Sequence, residues 1–176
     1  MELNDLIRKY KVKEHEEIRD NFLIHFERTM QIGRVRHPNE DENIFTDYFY
    51  NVENTDVDTI YKSYALDVLG DYIKDYLNNL AISYENTHSM WWFQQYYKSG
   101  AHGWHLHGGQ ASFAMIYYVE LPHTEQATEI HNVDITLEEG DFLIFPAFLP
   151  HRSSPNKFEE RKSVLVSNFG VNDVIL

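Results

Sequence analysis

From about residue 82 onward, apolar residues come in short runs separated by Gly, Pro, Asn and Asp. Such punctuation with a period near two specifies strands and excludes a helical second half. The runs place strands at 90–97, 102–107, 112–120, 128–130, 133–136, 141–145 and 162–169. Their number and spacing suit a two-sheet jelly roll, an architecture that holds a ligand between its sheets while helices cover one face. The first half differs. Residues 13–30 carry Ile18, Phe22, Leu23 and Phe26 at helical spacing, and residues 60–80 repeat that pattern with Tyr61, Ala65, Leu69, Tyr72, Ile73, Tyr76 and Leu77. Between them, Gly33, Pro38 and the acidic run Glu40-Asp41-Glu42 break the first helix, and residues 54–58 supply N-cap candidates for the second. The expected organisation is α+β, mainly β: one domain over residues 1–176, with 1–81 a mainly helical support and 82–176 the jelly-roll core.

Polar residues embedded in the apolar half carry the chemistry. His105 and His107 stand two apart, so on an extended strand their imidazoles share a face. The run from Asp141 to Phe145 turns at Pro146 and Pro150 and delivers His151 near the end of the β-rich region. Three imidazoles can then meet at one metal, and imidazole suits iron, zinc, copper and nickel. Beyond a turn at residues 153–157, Arg161 and Ser163 share a strand face. Arginine's planar fork grips a carboxylate through two parallel hydrogen bonds, and a hydroxyl two residues on adds a third, so the pair fits a dicarboxylate. On the run from Trp91, alternation puts Trp92, Gln94 and Tyr96 on one face, and with Trp104 and His131 these are candidates for lining a pocket.

Composition closes off other classes. The chain has ten histidines and no cysteine, which excludes disulfides, thiolate zinc sites and cysteine nucleophiles. A formal net charge of −13 argues against direct binding to nucleic acid, whose affinity is built on Lys and Arg at phosphates. No run approaches the roughly 20 apolar residues of a membrane span, and the N-terminus lacks a signal-peptide pattern, so a cytoplasmic location is expected. The oligomeric state is left open.

Ordered over residues 91–169, these pieces resemble the core of the 2-oxoglutarate and Fe(II)-dependent oxygenases, particularly a small bacterial and phage-type branch with a prolyl-hydroxylase-like core. Tyr97-Lys98-Ser99-Gly100 leading into His105-x-His107 resembles the lead into the first metal motif. Residues 113–118 resemble the next core strand, Glu139-Gly140-Asp141 the turn before the strand of the distal histidine, and Arg161-x-Ser163 the co-substrate signature at its spacing after His151. The resemblance implies Fe(II) on His105, His107 and His151, 2-oxoglutarate on Arg161 and Ser163, and hydroxylation of a small-molecule or peptide substrate. One position departs from the pattern, because the family carries Asp or Glu where His107 stands. Several readings follow: a three-histidine site, a halogenase-like His107-Gly108-Gly109 motif, a carboxylate from elsewhere, or a lost metal. The three-histidine site is favoured by the position of Gly100. A cupin-like three-histidine dioxygenase without 2-oxoglutarate and a non-catalytic jelly-roll binding protein are the alternatives. Imidazole binds metal only when unprotonated, so an all-histidine site is expected to lose its metal below about pH 6.

Overall fold

The computed structural model describes residues 3–37, 42–54, 59–80, 83–109 and 111–175. Three helices, α1 (His15–Gln31), α2 (Tyr48–Glu53) and α3 (Lys62–Asn79), accompany nine strands. The strands are β1 (Arg8–Lys11), β2 (Ile44–Thr46), β3 (Ser83–Tyr96), β4 (His102–His105), β5 (Phe113–Glu120), β6 (Thr128–Ile130), β7 (Asp141–Pro146), β8 (His151–Ser153) and β9 (Lys162–Ile175). They form a six-stranded sheet in the order β1-β7-β5-β9-β3-β2 and a three-stranded sheet in the order β4-β8-β6, with every pairing antiparallel.

The large sheet is buried on both faces, and its alternation divides the core in two. Trp91 and Phe93 of β3, Met115 and Tyr117 of β5, Phe142 and Ile144 of β7, and Leu165 and Phe169 of β9 pack with Phe22 and Phe26 of α1 and Ala65, Leu69 and Ile73 of α3. Phe26 lies flat on Phe93 with ring centres 4.4 Å apart. The neighbours of opposite parity, Trp92, Tyr96, Ile116, Tyr118, Leu143, Phe145, Val164 and Val166, form the second cluster, which faces the small sheet. Because side chains alternate with a period of two, a residue's parity on these strands decides whether it meets helices or the space between the sheets.

The helices expected at 13–30 and 60–80 are α1 and α3, while the proposed caps at residues 55–58 and the acidic residues 40–41 lie outside the described residues. The expected strand at 133–136 is instead a loop that leaves a turn closed by Val133 N–H to Ile130 C=O. Within residues 1–81, β1 and β2 add to the helices by extending the large sheet at its two edges. At one corner, Gly140 (φ +83°) lets His15 sit against the turn before β7, where a Cβ would stand 2.9 Å from the imidazole. That ring is 2.6 Å from the Tyr117 hydroxyl and fixes the start of α1 on β5.

Candidate metal centre

Antiparallel register assembles the centre. β4 pairs with β8 so that His105 stands opposite His151, and cross-strand partners have adjacent side chains. His107 follows β4 and is tied by its main-chain N–H to Ala147 C=O at 2.9 Å. The three side chains form a cluster in which one nitrogen from each lies within 4.8 Å of the others. Donors around one ion at about 2.1 Å stand roughly 3 Å apart, so small rotations of the rings bring them to a common metal. The donors are also prepared. His105 Nδ1 lies 2.8 Å from Gly103 C=O and His151 Nδ1 lies 2.9 Å from Leu149 C=O. A carbonyl only accepts, so each Nδ1 carries the proton and each Nε2 keeps its lone pair. Burial lowers His107 and His151 to about 4, and neighbouring histidines act in the same direction, so both rings are neutral at neutral pH. These residues fit a divalent ion of the imidazole-binding class.

The cluster opens on a cavity of about 370 Å³ lying between the two sheets. Trp92, Gln94 and Tyr96 line it from β3, as their shared parity leads one to expect, and Ile116, Val164 and Val166 complete the floor. Gln94 Oε1 accepts a hydrogen bond from Tyr96 O–H at 2.7 Å. The mouth carries Tyr48 and Phe49 from α2, with Tyr48 edge-on to Trp92 at 5.1 Å. A buried carboxylate holds α2 in that place: Asp47 accepts Phe93 N–H at 2.9 Å and Tyr61 O–H at 2.6 Å. His102 also lines the cavity, stacked on His105 with ring centres 3.9 Å apart, and burial lowers it to about 4. Among the described residues no aspartate or glutamate lines this space, although the chain is strongly acidic.

The expected anion-binding pair lies elsewhere. On β9, Ser163 shares its face with Leu165 on the helix side, and Arg161, just before the strand, follows the same parity. Arg161 donates to both oxygens of Glu120 at 2.8 and 2.9 Å, and Ser163 donates to the same carboxylate. Neither borders the cavity. The residue between them does. Lys162 is 2% exposed; its ammonium donates to Gln126 C=O at 2.9 Å and to Ser153 Oγ, and stands 4.1 Å from the centre of the Tyr96 ring. Burial alone lowers it to about 7, and no ion-pair partner for it occurs among the described residues. Trp104 and His131, the other proposed pocket residues, pack against each other and do not line the cavity, although Arg152, which does, stacks on Trp104 at 4.7 Å. Sequence reading therefore missed Lys162, His102, Tyr48 and Phe49. Lys162 had one available signal, its parity with Val164 and Val166.

No family profile matches the chain, and no curated protein matches it. Solved structures do. Among them are the viral collagen prolyl hydroxylase vCPH from Paramecium Bursaria Chlorella virus-1 in complex with 2-oxoglutarate (12% identity, 96% of this chain and 97% of that one, TM-score 0.62). Also similar is a prolyl hydroxylase from Trichoplax adhaerens in complex with a hypoxia inducible factor peptide (10%, 96% and 86%, TM-score 0.67). A third is HygX from Streptomyces hygroscopicus with nickel, 2-oxoglutarate and hygromycin B bound (11%, 95% and 83%, TM-score 0.66). At these identities the likeness is one of fold, and the chain has the jelly roll in which these oxygenases are built.

Proposed function

We propose that the chain is a 2-oxoglutarate-dependent Fe(II) oxygenase acting on a small molecule or a peptide side chain. One observation carries this reading: a fully buried ammonium, with no counter-ion among the described residues, faces the same cavity as three clustered imidazoles, two of them oriented by main-chain carbonyls. A buried charge is costly unless paired, so the cavity is built for an anionic ligand that spans from Lys162 toward the histidines. A keto acid with a second carboxylate at its far end has that shape. The fold is that of proteins crystallised with 2-oxoglutarate, which supports the choice.

In this reading His105, His107 and His151 hold the metal, which with 2-oxoglutarate and O2 supplies oxidative hydroxylation of a C–H bond. Lys162 holds the far carboxylate, and Ser153 and Gln126 fix its ammonium in place. His102 keeps the His105 ring from turning by stacking on it. Tyr48, Phe49 and Trp92 form an apolar wall that excludes water and receives an apolar part of the substrate, while Gln94 offers a polar contact beside it.

The test is anaerobic titration of the Fe(II)-loaded protein with 2-oxoglutarate, followed by the visible charge-transfer band of the chelate. The band is expected in wild type and in Arg161→Met, and is expected to vanish in His151→Ala and to need at least tenfold more 2-oxoglutarate in Lys162→Met. Iron binding without a band would favour a three-histidine dioxygenase in which Lys162 takes a carboxylate of the substrate itself, a reading suggested by His107 at the position of the usual carboxylate. Failure to bind iron would sink both.

A further inference from the structure

An imidazole ligand brings a requirement that a carboxylate does not have. A carboxylate offers oxygen lone pairs whichever way it turns, whereas a neutral imidazole has one free nitrogen and the other carries the proton. Which nitrogen is free is decided by the hydrogen bond of the other. His105 and His151 meet the requirement through main-chain carbonyls two residues earlier, Gly103 and Leu149. His107 has no such carbonyl among the described residues. Its Nδ1 instead lies 3.3 Å from the side-chain amide of Asn168.

That amide has a deficit of its own. Asn168 Oδ1 is buried with no hydrogen-bond partner among the described residues, while Nδ2 is the end drawn toward the imidazole. A half-turn of the amide exchanges two ends of nearly equal size, and the hydrogen-bond network decides between them. With nitrogen toward His107, Nδ1 must accept, the proton moves to Nε2 and the carbonyl stays unpaired. With oxygen toward His107, the amide nitrogen takes the place Oδ1 held, the carbonyl gains the donor it lacks, and the ring presents Nε2 as the other two do.

We infer that Asn168 is a positioning residue for His107, its side-chain carbonyl accepting the Nδ1–H so that all three histidines offer Nε2 to one point. The inference rests on the metal-binding reading above and supplies what the exchange of carboxylate for imidazole demands. The strand is suited to the task. Asn168 sits on β9 between Met90 of β3 and Ala114 of β5, held by pairing on both sides, and shares parity with Lys162, Val164 and Val166. One face of one strand thus carries both the buried ammonium and the support of the third ligand.

The experiment uses metal-free protein carrying 15N-labelled histidine at pH 7.5, where long-range proton–nitrogen spectra show which nitrogen of each ring is protonated. His107 is assigned by its loss in His107→Gln. Wild type is expected to show His107 protonated at Nδ1, like His105 and His151. Asn168→Asp, which retains an acceptor, keeps that form, and Asn168→Leu shifts His107 to the Nε2–H form and weakens Co(II) binding by about 10-fold to 100-fold. An Nε2–H form in wild type overturns the inference whether or not the leucine variant folds, and so does an unchanged His107 spectrum in a folded Asn168→Leu. The spectra are read without metal, so the expected tautomers together with failure to bind any metal would uphold the positioning role and sink the oxygenase reading.

Discussion

Replacing Lys162 by methionine should separate the protein's stability from its ligand binding. The ammonium is displaced from 10.5 to about 7 by burial alone, so the fold resists its protonation. At about 1.4 kcal/mol per pH unit, the charged form costs the folded state about 5 kcal/mol, of which about 4 is felt at pH 7. The sign follows from proton counting. Between pH 7 and 10.5 the unfolded chain binds more protons at this site than the folded one, so wild-type stability rises with pH across that window and the penalty is fully present below it. Methionine has a similar length and no charge. It leaves Gln126 C=O and Ser153 Oγ without their donor, a loss of about 1–3 kcal/mol. Lys162→Met should therefore be about 1–3 kcal/mol more stable than wild type at pH 7, an advantage that shrinks by about 3 kcal/mol by pH 10, where giving up the lysine's proton on folding costs little. Urea unfolding of both proteins at the two pH values, without ligand, measures this. A variant less stable than wild type by the same margin at pH 7 and pH 10 would show that the ammonium is not held against a desolvation penalty, and the case for an anion in the cavity would fall with it.

Arg161→Met removes a two-pronged contact to Glu120 on the helix side of the sheet and should cost about 1–3 kcal/mol of stability, while 2-oxoglutarate affinity changes less than twofold; a co-substrate defect matching that of Lys162→Met would restore Arg161 to the site. Because burial holds His107 and His151 near 4, protons compete with metal later than free imidazole would allow. Bound Co(II) should stay constant from pH 8 to 6 and be lost between 6 and 4, and half-loss above pH 6 in a pH series of metal content would refute it. Gly100→Ala would place a Cβ 2.6 Å from the Asn43 carbonyl oxygen, a backbone atom that cannot swing aside, and should lower stability by about 1–3 kcal/mol in thermal melts.

The histidine cluster was legible because each part of it has a local signature: two imidazoles at strand spacing, and a third delivered by a strand ending in prolines. Trp92, Gln94 and Tyr96 were legible as a set for the same reason. Arg161 and Ser163 show where sequence reading stops. They do share a face, but the sequence says only that they do, not which way that face looks. On most strands apolar residues mark the inward side; on β9 both sides are buried, and Val164-Leu165-Val166 is continuous. With no polar side to calibrate the parity, a displacement by one residue exchanges Lys162, which lines the cavity, for Arg161, which faces the helices. The short elements β2 and α2 escaped for another reason. Each is held by tertiary bonds, such as those of Asp47, and neither has the length to show a period.

A cavity lined by no carboxylate among the described residues, inside a chain of net charge −13, has a kinetic consequence. On the proposed function, an incoming dicarboxylate meets a repulsive outer surface before it reaches Lys162, so encounter is slowed at long range and rewarded only at contact. Salt screens the long-range part first, with a Debye length of about 10 Å at 0.1 M and about 3 Å at 1 M, and leaves the buried pair largely intact. Association should quicken with moderate salt while dissociation barely changes, the reverse of the slowing seen when opposite charges steer a ligand home.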